Sequence, residues 1–80
     1  MKHFLYIAHD YSRARGFNRT IMVYRIKKNV PEFVGYNEQI NTASYKGDLA
    51  AANKIIADVY GYKMTDGYRL DDKTVIVHNI

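Results

Sequence analysis

Apolar and polar residues alternate along most of this chain, and one central segment changes period. From His3 to His9, one side carries His3, Leu5, Ile7 and His9 and the other Phe4, Tyr6 and Ala8, the two-residue repeat of a strand. Asp10 to Asn18 breaks that repeat with Ser12, Gly16 and Asn18 and reads as a long loop. Thr20 to Lys27 is dense in β-branched and aromatic residues. It predicts a strand with Met22, Tyr24 and Ile26 facing one way and Ile21, Val23, Arg25 and Lys27 the other. A turn over Lys28-Asn29-Val30-Pro31 and a strand from Glu32 to Ile40 complete a hairpin, with Pro31 placed where no ladder donor is needed.

Between Asn41 and Tyr62, Leu49, Ala52, Ile56, Val59 and Tyr60 recur at helical spacing, with Ile55 widening the stripe. Ser44 or Asp48 suits the N-cap, and Gly61 falls where a left-handed C-cap belongs. Thr65-Asp66-Gly67 reads as a turn, Tyr68 to Leu70 as a short strand, Asp71-Asp72-Lys73 as another turn, and Thr74 to Ile80 as a terminal strand. A single helix of about 13 residues cannot bury its apolar stripe alone and must lie across the sheet. The expected fold is α+β in the order β-β-β-α-β-β, an antiparallel sheet of four to five strands with the helix on one face. The other face is then wet or free for a partner.

Length bounds what this fold can hold. Eighty residues make one compact domain spanning 1–80. Its small core leaves no room for a deep cleft around a large cofactor, so none is expected. The chain has no cysteine, which removes disulfides, thiolate metal sites and cysteine nucleophiles and fits a reducing, cytoplasmic compartment. No apolar run is long enough to span a membrane, and the first residues lack the apolar core of a signal peptide.

Charge is uneven. Residues 1–29 carry seven basic side chains (Lys2, Arg13, Arg15, Arg19, Arg25, Lys27 and Lys28) against one acid, Asp10. Residues 30–80 carry five basic and seven acidic ones, so a net +4 conceals a strongly cationic first third. Arginine and lysine in such density favour phosphate backbones, with release of counterions. An acidic protein surface and a merely solvated basic face are the alternatives.

Tyrosine is the second anomaly. The chain has eight, about three times the ordinary usage of roughly 3%. Rings beside arginines on an open sheet hold single-stranded nucleic acid, bases stacking while cations follow phosphates. Tyr11 accordingly joins Phe17 beside the loop cations, whereas Tyr24 and Tyr60 sit on apolar stripes and are expected in the core. Arg15-Gly16-Phe17 does not continue into an RNA-recognition-motif signature.

No catalytic constellation emerges. His3 and His9 lie about 20 Å apart on an extended strand, too far to share a metal, and His9 and Asp10 point to opposite faces. Asp71-Asp72 reads as turn rather than metal site, and the scattered glycines form no phosphate-cradling loop.

In size, compactness, cysteine-free α+β pattern and concentrated charge, the chain resembles small phage-encoded accessory proteins, among them anti-CRISPR-type and antitoxin-like inhibitors. That resemblance implies action by binding, through blocking or remodelling a nucleic acid or nucleoprotein, and carries over no residues.

The expectation is therefore a non-catalytic module engaging RNA or another single-stranded nucleic acid, or a nucleoprotein, through Arg13, Arg15, Arg19, Arg25, Lys27 and Lys28. Tyr11 and Phe17 would stack or wedge beside them. A protein-directed inhibitor acting on an acidic enzyme surface is the alternative, and a small ribonuclease using His9 or His78 the third. No membrane partner is expected. Pairing at the edge of either terminal strand offers a route to a homodimer.

Overall fold

The structure, a computed structural model, describes residues 3–13, 16–40, 44–71 and 74–78. The chain forms β1 (His3–Arg13), β2 (Gly16–Lys27), β3 (Val30–Ile40), α1 (Tyr45–Tyr60), β4 (Asp66–Arg69) and β5 (Thr74–His78). These make the expected α+β fold, one antiparallel sheet ordered β3-β2-β1-β5-β4 with the helix packed on one face.

The period-two pattern sets which side chains meet the helix. In the register of β1 with β2, Phe4 lies opposite Arg25, Tyr6 opposite Val23 and Ala8 opposite Ile21. The register with β5 adds Val77 opposite Phe4 and Val75 opposite Tyr6. These apolar residues are buried beneath Ala51, Ala52, Ile55 and Ile56 of α1, with Met64 from the segment after the helix. Each fully buried Phe, Ile or Val contributes roughly 1.5–3 kcal/mol relative to exposure, so this single layer carries most of the core.

The helix ends follow local chemistry. The Ser44 side chain accepts a hydrogen bond from the Gly47 backbone N–H, and Gly61 closes the helix at φ 74°, donating its own N–H to the Ala57 carbonyl. Close approach is also required in the middle. A Cβ at Gly35 would stand 3.2 Å from Ile55 Cγ2, so a larger residue there would require Ile55 to give way by a few tenths of an ångström.

Several local expectations are corrected. Much of the segment expected as a loop is strand: β1 continues to Arg13 and β2 begins at Gly16, and Asp10 to Arg13 pair with Gly16 to Arg19. Its turn-forming residues are recruited into the ladder, where Asp10 gains Arg19 as its cross-strand partner. Two residues, Lys28 and Asn29, both at positive φ (51° and 64°), make the β2–β3 turn. Pairing resumes at Val30, and Pro31 sits in the edge strand β3.

Asp66 and Gly67 belong to β4, paired with His78 and Val77, instead of to a turn. Val59 is largely exposed although it fits the helical repeat. Tyr24 is not in the helix-side core; it lies on the opposite face, edge-on to Phe33 at 5.6 Å. Neither chain-terminal strand is an edge. β1 is central and β5 internal, because the crossover through α1 returns the chain beyond β1, so the expected edge pairing through them is unavailable.

Candidate functional site

The strand geometry disperses the cations that sequence places together. Arg13 ends β1, opposite Gly16, while Lys27 at the other end of β2 and Lys28 in the turn beyond it lie about 35 Å away along the strand. The molecule measures 41 × 23 × 20 Å, so those two groups lie near opposite ends of its long axis. Arg15 lies outside the described residues, as do the side chains of Arg13 and Phe17. Tyr11 is half-buried on β1, paired with Asn18.

Arg19 is committed within the protein. Its Nε donates to Asp10 Oδ1 at 2.6 Å and its Nη1 to Asp48 Oδ2 at 2.6 Å. Gln39 Nε2 donates to the other oxygen of Asp48. The arginine side chain is 13% exposed and that of Asp48 only 5%. Donation to Asp10 raises the Arg19 pKa, partial burial opposes this, and Asp48 raises it further. The cluster therefore joins β1, β2, β3 and the first turn of α1, with its central cation matched by two carboxylates. It fastens the helix start to the sheet.

At the far end of the helix, a cation meets aromatic rings and keeps part of its surface. Arg25 is half-buried, its guanidinium carbon 4.9 Å from the centre of the Tyr60 ring. Tyr60 stacks in parallel on Tyr62, with centroids 5.6 Å apart and 4° between planes. Phe4 supports both rings from the core side at 5.5 and 6.4 Å. The left-handed Gly61 between the two tyrosines lets the chain reverse so that the rings lie side by side.

Lys27 follows Arg25 on the same side of β2, Lys28 forms the adjoining turn, and exposed Lys63 follows Tyr62. Glu32 is the cross-strand neighbour of Arg25 and the acidic side chain at this corner's β3 margin. Such a corner fixes a guanidinium before a ligand arrives, which lowers the entropy lost on binding.

Sequence reasoning selected Arg25, Lys27 and Lys28 but missed Tyr62 and Lys63. Tyr60 was expected in the core and does pack against it, while also supporting the cation. The signal was present as the Tyr60-Gly61-Tyr62-Lys63 run, whose glycine hides how close its rings come.

The second surface is the sheet face away from the helix. Leu5 and Ile7 of β1 lie beside Tyr24 and Met22 of β2, all half-buried. At the margins Phe33 is 53% exposed, Tyr36 65% and Tyr68 54%. Ile76 lies beside Leu5 on this side, opposite to Val75 and Val77. Among the described strand side chains on this face there is no lysine or arginine. Arg19, Arg25, Lys27 and Arg69 all alternate to the helix side.

Histidine chemistry is sparse. His3 and His78 are cross-strand neighbours with rings 5.7 Å apart, and His9 pairs with Thr20 further along β1. Among the described residues, no group of three His, Asp or Glu side chains is placed to hold a metal. No helix among them is long and apolar enough to cross a membrane. Neither a protein-family model, nor a curated protein, nor a solved structure matches the chain.

Proposed function

We propose that the protein is a non-catalytic binding module for single-stranded nucleic acid, RNA before DNA, and that the Arg25–Tyr60–Tyr62 corner is its contact site. The observation carrying this reading is the guanidinium held over one ring of a stacked tyrosine pair, at the end of the molecule where Lys27, Lys28 and Lys63 also lie. An arginine so placed offers its outer side to a base and its N–H groups to a phosphate. The flanking lysines extend the positive field along a backbone. Arg13, at the far end of β1, would meet only a nucleic acid long enough to cross the sheet.

The test is fluorescence anisotropy of a labelled, mixed-sequence RNA oligonucleotide. Arg25→Glu should weaken binding at least tenfold. Lys46→Glu, about 20 Å away at the other end of the helix, should leave it nearly unchanged. Equal losses in both variants would reduce the corner to diffuse charge. Wild-type protein that ignores RNA yet binds an acidic polypeptide would replace this reading with the protein-directed one.

A further inference from the structure

We infer that the open sheet face is the contact surface of a homodimer, in which two copies of this chain pack sheet against sheet. The face is apolar where it should be solvated. Leu5, Ile7, Met22 and Tyr24 fill its centre, and Phe33 and Tyr36 stand more than half exposed at its margin. A contiguous patch of this kind marks an interaction surface, and aromatic residues and methionine are the types enriched at interface cores.

Its size suits a dimer. β1 and β2 pair from Phe4 opposite Arg25 to Arg13 opposite Gly16, about 31 Å of ladder, and five strands at about 4.8 Å give a width near the 23 Å extent. Allowing for the shorter β4 and β5, each copy contributes roughly 600 Å², or about 1,200 Å² in total. That value stands at the lower bound of a standard specific interface.

Charge selects the occupant. Two copies, each of net charge +4, repel wherever their cations meet. Arg19, Arg25, Lys27 and Arg69 lie on the helix side, so face-to-face packing directs these four away from the interface. A two-fold contact sets a surface against itself, and the apolar centre of this face is self-complementary, with the exposed Glu38 at its β3 margin.

Edge pairing is the competing route, and both edges are poor templates. β3 carries Pro31 and a bulge opposite Val23 and Tyr24, while β4 has only four residues. Packing two sheets about 10 Å apart would also give this thin molecule the second layer its open face lacks. The Arg25–Tyr60 corner, on the helix side, would remain outside the interface on both copies.

Sedimentation equilibrium of the full chain, from micromolar to several hundred micromolar, should give twice the 9.3 kDa chain mass. Met22→Lys should shift the population to monomer with helical circular dichroism retained, and Lys54→Glu on the exposed helix surface should remain dimeric. A monomeric wild type across the range overturns the proposal. So does a folded Met22→Lys that stays dimeric. Should Met22→Lys fail to fold, dilution of isotope-labelled wild type decides: amide shifts should change along β1 and β2, and changes confined to α1 would refute the face-to-face dimer.

Discussion

Arg19 shows how one side chain can be reassigned from partner binding to construction. By composition it is one of several cations in an anion-free stretch. In the fold it bridges two carboxylates from different elements, at 2.6 Å each. Asp10 stands nine residues before it and Asp48 twenty-nine after, so no local spacing reveals the cluster.

Arg19→Ala leaves Asp48 buried without its cation and should cost about 3 kcal/mol in urea unfolding. Arg19→Lys should recover only part, because an ammonium lacks the planar fork that addresses two carboxylates in fixed directions. A loss below about 0.5 kcal/mol for the alanine variant would mean the cluster contributes no more than an exposed pair.

The sign of the pKa shift sets the pH dependence. A raised Arg19 pKa means its contribution is complete below the ordinary arginine value and lost only as pH rises through the higher folded one. Stability should therefore show no titration of Arg19 across neutral and mildly alkaline pH, measurable as a flat difference between wild type and Arg19→Ala.

At the scale of elements, alternation and helical period made the order β-β-β-α-β-β legible, along with both faces of β1 and β2. The β1–β2 hairpin was not legible beyond His9. Serine, asparagine and glycine favour turns when read locally, yet the ladder from Asp10–Arg19 to Arg13–Gly16 engages them as strand. Tyr24 was misplaced for a different reason: period two tells which residues share a face but not which face the helix covers. Met64 and Tyr62 follow the helix in no regular pattern, so their packing was invisible.

Two glycines test the joints between elements. Gly61→Ala places a Cβ at φ 74° and should cost about 1 kcal/mol, lowering the melting temperature by roughly 4–8 °C. Gly35→Val should cost about 1–3 kcal/mol by pressing against Ile55, and a double variant with Ile55→Ala should recover part of it. Simple additivity in that cycle would show that Gly35 does not set the helix–sheet distance.

At the scale of the molecule, the charge asymmetry visible along the chain becomes a difference between surfaces. Arg19, Arg25, Lys27 and Arg69 share the helix side, Arg19 is neutralised there, and Arg25 is supported by Tyr60 at the end bearing Lys27 and Lys28. Cations close in the chain are not one patch in space, because β2, fully extended, spans most of the length of the molecule. What remains for a ligand is a smaller corner in which charge and rings are held together.

The most direct measurement is the salt dependence of single-stranded RNA binding by the wild-type chain. With three or four phosphates neutralised by Arg25, Lys27, Lys28 and Lys63, log K should fall against log[salt] with a slope of about −2 to −3. A slope near zero, or no binding at low salt, would contradict the assignment of this corner to a phosphate backbone.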